Sequence, residues 1–159
     1  MIKRLALLFS LSAFAIPALA HGADRGAAKA TVAGKTVAID YGRPSLKGRD
    51  MLGQAEVGKP WRMGADAETT LKTDADLTFA GASVPKGEYV LTATKLADGK
   101  WQLNVITKEK AKVADVPLET AKPPAAVETL TIDLTGEKDK GTFTMSWGEV
   151  ALKTAFTGK

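Results

Sequence analysis

Apolar residues recur at every second position over most of this chain. Val37, Ile39 and Tyr41 alternate with polar or small residues, as do Trp101, Leu103 and Val105, and later Leu130, Ile132 and Leu134. A period of two belongs to half-buried strands, whereas a helix would repeat its apolar positions every 3.6 residues. Threonine and valine fill these runs, and turn-forming residues return about every ten positions, the cadence of an all-β sandwich or barrel.

Two hairpins follow from parity. Asp98-Gly99 is a two-residue turn signal because both residues tolerate positive φ. That turn sets Leu96 opposite Trp101 and Thr94 opposite Leu103. In the C-terminal stretch, Phe143, Met145 and Trp147 are apolar at odd positions, and Val150, Leu152 and Phe156 at even ones. A turn at Gly148-Glu149 explains the switch and pairs Trp147 with Val150 and Met145 with Leu152. A single strand bulged at Gly148 is the alternative, less suited to a glycine at the first turn position. Ala80-Gly81 and Pro85-Lys86-Gly87 punctuate a further strand pair between residues 70 and 96. Residues 108–126, rich in Lys, Ala and Pro, read as an irregular connection with one helical turn. No repeat or low-complexity tract divides the chain.

The N-terminus breaks the alternation. Lys3 and Arg4 precede an apolar run from Leu5 to Ile16, Pro17 ends it, and Ala18-Leu19-Ala20 supplies a small-x-small cleavage pattern. This is the layout of a cleaved signal peptide. The run is too short for a membrane anchor, which needs about 20 residues. The expected organisation is therefore a Sec-type signal at 1–20 cut after Ala20, a loose tail at 21–27, and a single antiparallel β-sandwich domain at 28–159. The protein is expected to be periplasmic or secreted, with no stable membrane anchor. Of 22 basic and 18 acidic residues, Lys3 and Arg4 belong to the leader, leaving the rest only mildly basic. Near-neutral charge and export together argue against nucleic acid as a partner. The absence of cysteine removes disulfides, thiolate metal sites and lipid attachment to a lipobox thiol.

One segment is dense and aperiodic: Tyr41-Gly42-Arg43-Pro44-Ser45-Leu46-Lys47-Gly48-Arg49, followed by Trp61-Arg62-Met63-Gly64-Ala65. Its cations are interleaved with glycines, which let a backbone approach a ligand or turn sharply. Arginine forks recognise carboxylates, phosphates and sulfates. On this reading Arg43, Arg49 and Arg62 are anion forks, Lys47 is a point charge, and Tyr41 and Trp61 are walls, with Glu68 and Thr70 close by. The competing reading is structural: Asp40, Asp50, Asp66, Glu68 and Glu88 pair with the cations, and Trp61 plugs the core beneath the loop.

These same residues carry a resemblance. The stretches at 41–49 and 61–65, with Gly53, Thr70, Gly81, Pro85-Lys86-Gly87-Glu88-Tyr89, Trp101, Val127-Glu128-Thr129 and Trp147, resemble the bacterial exported proteins grouped as domain of unknown function 2911. The resemblance spans roughly residues 28–157. It implies a β-sandwich and no mechanism, since the family has no assigned activity. Its members often have Asn where this chain has Asp66.

Other chemistries lack their parts. His21 is the only histidine, so neither an N-terminal copper clamp, which needs a second imidazole, nor a Ser-His-Asp triad in the folded domain is available. G-x-S-x-G, Walker A and dinucleotide fingerprints are absent. Asp74-Ala75-Asp76 lacks the ligand series of a calcium loop and reads as a solvated strand edge. The three tryptophans form either a sugar-stacking platform or core packing, and the parity of Trp101 and Trp147 favours the core.

The sequence thus points to a non-catalytic binding or interaction module, without metal or cofactor, whose 41–70 loop takes an anionic small molecule or a glycan. The alternatives are an enzyme of unassigned type acting on a cell-envelope or extracellular small molecule, with Glu68 or Asp66 as acid/base, and a purely structural envelope protein. A binding site predicts that Arg43, Arg49 and Arg62 converge in a solvent-open concavity, at least one of them without a carboxylate partner. A structural loop requires each of them to be paired.

Overall fold

A computed structural model describes residues 24–159, so the expected signal at 1–20 and His21 lie outside the described residues. The described chain is all-β, without helices. Its strands are β1 (Arg25–Val32), β2 (Lys35–Gly42), β3 (Pro60–Trp61), β4 (Thr69–Thr73), β5 (Leu77–Phe79), β6 (Ala82–Val84), β7 (Gly87–Lys95), β8 (Trp101–Ile106), β9 (Lys112–Ala121), β10 (Val127–Glu137), β11 (Lys140–Gly148) and β12 (Val150–Gly158). β1 starts at Arg25, so residues 25–27 belong to the sheet and not to a loose tail.

Alternation predicts which side of each strand is buried, and it does so well here. Val37, Ile39 and Tyr41 of β2 are buried, as are Trp101, Leu103 and Val105 of β8 and Leu130 and Ile132 of β10. Leu134 is only partly buried and packs at the margin of the core. What alternation leaves open is whether the strands divide into two sheets or curve into one. The expected sandwich is instead one antiparallel sheet nearly closed into a barrel, in the order β1-β2-β4-β7-β8-β9-β12-β11-β10.

Two features produce the closure. β9 pairs with β8 through Lys112–Leu118 and with β12 through Glu119–Ala121, so one strand joins what would otherwise be two layers. At the far side the chain leaving β2 reaches β10. Ser45 bridges Thr129, the Leu46 N–H donates to the Glu128 carbonyl at 3.0 Å, and the Leu130 N–H donates to the Pro44 carbonyl at 3.0 Å. The Ala33 N–H also donates to the Lys138 carbonyl at 2.6 Å, tying the β1–β2 turn to the β10–β11 turn. The barrel interior is filled by Leu77, Leu91, Leu103, Phe143, Met145 and Leu152. Each such side chain contributes about 1.5–3 kcal/mol by leaving water.

Three local expectations resolve differently. The Gly148-Glu149 turn sets Trp147 opposite Val150 and Met145 opposite Leu152, as parity required. The Asp98-Gly99 hairpin is one residue out of the expected register. Leu96 donates to the Lys100 carbonyl at 2.7 Å, so the loop holds three residues and Gly99 takes φ 79° at its end. Trp101 therefore faces Lys95, and Leu103 faces Ala93. The slip puts Tyr89, Leu91 and Ala93 inside and moves Thr94 to the opposite face, where it bonds Asn104 at 2.7 Å. The second difference is the segment 108–126, which contains a ten-residue strand, β9, and no helical turn. Ala114, Val116 and Leu118 point inward from it, a short alternation masked by the surrounding lysines and prolines. Pro117 opposes Gln102 of β8, while the ladder to β12 begins only at Glu119. The proline thus sits on a local edge, where a missing N–H is tolerated.

Candidate functional site

Between β2 and β4 the chain leaves regular pairing, and the aperiodic segment seen in the sequence lies here. It closes one turn at Leu46–Arg49, where the Arg49 N–H donates to the Leu46 carbonyl at 3.1 Å and Lys47 takes φ 49°. A second turn is fixed by Asp50, whose Oδ1 accepts from the Gly53 N–H at 2.9 Å. After the short β3, Arg62 Nη1 donates to the Asp66 carbonyl at 2.9 Å, and Met63 and Asp66 adopt φ of 55° and 62°. Three of the seven positive-φ non-glycine residues therefore fall in this segment. Such positions cost of order 1–3 kcal/mol each and collect at ligand clamps and tight turns. Asp and Asn tolerate this region better than most residues. That accounts for Asn or Asp at position 66 without a ligand.

The segment is held by packing. Met63 is fully buried, its carbonyl accepts from the buried Thr69 hydroxyl at 2.9 Å, and Ala65 lies against Gly42 so closely that a methyl at Gly42 would collide with the Ala65 carbonyl. Trp61 stacks on Trp147 with centroids 5.7 Å apart and 11° between planes, and meets Trp101 edge-on at 6.4 Å. Trp101 and Trp147 are buried, so the tryptophans form a core cluster capped by the half-buried Trp61.

The residues singled out in the sequence therefore occupy different surroundings. Tyr41 is buried, and its hydroxyl donates to the Ile132 carbonyl at 3.3 Å across the barrel. Thr70 lies on β4 and lines a shallow outer depression with Asp40, Lys72, Glu88 and Lys108. Glu68 is half-exposed and paired with Lys110. The Lys47 backbone N–H is held by the Glu128 carboxylate at 2.9 Å, while its side chain is exposed. Arg49 is exposed, and its Nε donates to the Leu46 carbonyl at 3.2 Å. Arg43 differs from all of these. Its stem crosses Gly26, where any added Cβ would stand 2.6 Å from its Cδ, and its Nε is buried without a hydrogen-bond acceptor among the described residues.

Four of the five acids offered as structural partners are engaged elsewhere. Asp40 pairs with Arg25, Glu68 with Lys110, and Glu88 with Lys72 and Lys108. The Lys108 ammonium, through its hydrogen bond first, holds the Glu88 carboxyl below its usual range, and Glu88 raises Lys108 in turn. Asp50 holds its own turn. None of the nine ion pairs among the described residues uses Arg43, Lys47, Arg49 or Arg62.

One cavity is built by this segment. It has a volume of about 430 Å³ and lies between residues 46–52 and the β11–β12 turn, with Arg49 and the Trp147 indole among its walls. No local signal places Glu149 and Val150 there, because the hairpin that brings them to the loop is remote in the chain. Arg25 was also missed as the partner of Asp40, a pairing that depends on strand register. No group of three or more His, Cys, Asp or Glu residues is placed to hold a metal ion among the described residues.

The barrel and its capping segment match a known family pattern. Residues 24–156 fit the model for the family described as protein of unknown function (DUF2911), and the chain belongs to that family. No curated protein and no solved structure gives a match to the chain.

Proposed function

We propose that this protein is an exported, non-catalytic binding module that captures a small anion-bearing molecule at the basic segment between β2 and β4. The observation carrying this reading is the pattern of pairing. Asp40, Glu68 and Glu88 are taken by Arg25, Lys72, Lys108 and Lys110, while Arg43, Lys47, Arg49 and Arg62 enter none of the ion pairs among the described residues. A purely structural loop would use its arginines to neutralise those acids. Donors left over on a rigid scaffold suit a ligand that brings its own acceptors. The leader pattern at residues 1–20 supports export. The enzymatic alternative is weaker, because Glu68 is half-exposed and already holds Lys110.

The test is a thermal-shift screen of phosphate, sulfate, short carboxylates, amino acids and acidic sugars. A ligand at a hundredfold excess over its Kd is expected to raise Tm by about 5–10 °C. Arg49→Ala should remove that shift while leaving the unliganded Tm unchanged. A screen in which no compound moves the melting curve, or in which the variant keeps the shift, overturns the reading.

A further inference from the structure

The cavity between residues 46–52 and the β11–β12 turn is more specific than a general anion site. Its apolar walls come from Leu46, Met51, Val150 and the Trp147 indole. The charged residues among its walls are of both signs: Arg49 and Asp50 from the loop, and Glu149 from the turn. No Ser, Thr, Asn, Gln or Tyr lines it, and the Trp147 Nε1–H already donates to the Glu128 carbonyl at 3.2 Å. Neutral hydroxyl and amide partners, on which sugar recognition relies, are thus missing from its walls. A simple inorganic anion would meet Arg49 but also two carboxylates of its own sign.

The charged groups are unequally committed. Asp50 is tied to the Gly53 N–H. Glu149 is about 75 % exposed on the turn, with only a loose contact of 3.9 Å to Lys122. Arg49 uses its Nε on the Leu46 carbonyl, which orients the guanidinium and leaves its terminal nitrogens as a two-pronged donor. Leu46 Cδ1 lies 3.4 Å from where a Cβ on Gly148 would stand, so the loop and the turn that carry these charges are in contact.

From this set, and resting on the binding reading above, we propose that the cavity takes a free α-amino acid with an apolar side chain. Its carboxylate lies on the Arg49 fork, its ammonium faces Glu149, and its alkyl group enters the patch made by Leu46, Met51, Val150 and Trp147. A volume of about 430 Å³ accommodates one such molecule. Each ligand methylene buried on that patch is worth about fourfold in affinity.

Isothermal titration of the protein with leucine, alanine, glycine, leucinamide, N-acetylleucine and sodium phosphate tests this. Affinity should fall from leucine to alanine to glycine. Leucinamide lacks the carboxylate and N-acetylleucine the ammonium, and each should bind about 10- to 100-fold more weakly than leucine, the range for a lost charge-assisted hydrogen bond. Glu149→Gln should weaken leucine and leave N-acetylleucine unchanged, whereas Arg49→Gln should weaken both. Both residues are exposed, so circular dichroism and an unchanged Tm confirm that the variants fold. If phosphate or N-acetylleucine binds as well as leucine, or if Glu149→Gln changes nothing, the amino-acid assignment falls and the broader anion-binding reading stands. If no probe here and no compound in the screen above binds, both fall.

Discussion

The β10–β12 sheet and the segment between β2 and β4 handle the same problem in opposite ways. From Val127 to Gly158 the chain forms three long strands joined by tight turns, with Thr131, Thr144 and Ser146 turned outward and Ile132, Met145 and Leu152 inward. Its backbone groups are taken up by the ladder. The segment from Arg43 to Glu68 has only Pro60–Trp61 in a strand, holds three non-glycine residues at positive φ, and leaves four cations outside every ion pair among the described residues. The contrast shows where this fold keeps its unspent hydrogen-bonding capacity. The regular sheet supplies rigidity, and the irregular segment is pinned to it while its charged ends stay open. The two regions meet where Trp61 stacks on Trp147 and where Leu46 approaches Gly148.

Breaking that junction is the largest expected effect. Trp147→Ala empties a buried site and should cost about 3–5 kcal/mol in denaturant unfolding. Trp61→Ala should cost less because the ring is only half-buried. A double-mutant cycle should return a coupling of about 0.5–1.5 kcal/mol, the range for a stacked aromatic pair. A coupling indistinguishable from zero would mean that the segment rides on the sheet without being held by it.

The two regions were also unequally legible in the sequence. The Gly148-Glu149 hairpin was readable because six apolar residues switch parity across it, and a register shifted by one would turn one strand's set outward. The Asp98-Gly99 turn slips by one because Ala93, a weak apolar signal, takes the place opposite Leu103 expected for Thr94, and Lys95 takes the place opposite Trp101 expected for Leu96. β9 was hidden because its inward residues are Ala114, Val116 and Leu118, only two of them large, and a proline interrupts them. Barrel closure depends on Ser45 meeting Thr129 and on β9 spanning two partners, and neither contact has a local signature. In the candidate site, the aperiodic basic segment was visible from its composition. The fold now explains part of its signature without a ligand: Trp61 caps the core, Met63 is buried, Gly64 and Ala65 lie on Gly42, and Arg62 closes its own turn. Arg43, Lys47 and Arg49 are what that explanation leaves over.

Arg43 sharpens the comparison with an effect of opposite sign. A buried guanidinium nitrogen without an acceptor carries a desolvation penalty that nothing among the described residues offsets. Arg43→Met keeps the stem across Gly26 and removes the donor, so it should stabilise the protein by about 1 kcal/mol. Arg25→Met, which breaks the half-exposed pair with Asp40, should instead cost less than about 1 kcal/mol. Chemical denaturation of the two variants side by side reads both signs. If Arg43→Met is as destabilising as an ordinary core substitution, Arg43 belongs to the structural framework and not to the open donors.

The smallest effect extends the contrast to the regular strands β7–β9, whose polar groups are paired, and reads it through pH. Across β7, β8 and β9, Thr92 and Thr94 donate to Asn104 Oδ1 at 3.3 and 2.7 Å, Asn104 Nδ2 donates to Asp115 Oδ1 at 3.0 Å, and Lys112 Nζ donates to Asp115 Oδ2 at 2.6 Å. The Lys112 hydrogen bond first, then that from Asn104, holds the Asp115 carboxyl below its usual range. A carboxyl whose folded pKa lies below its unfolded value stabilises the fold fully above the unfolded pKa. That contribution disappears as pH falls through the folded one. Asp115→Asn should therefore cost less than about 1 kcal/mol near neutrality, given that Lys112 is largely exposed. The gap to wild type should then narrow as pH falls from about 5 to about 2. A gap between wild type and Asp115→Asn that holds constant across the acid range would show that the network stabilises the barrel by shape alone, with no contribution from the carboxylate's charge.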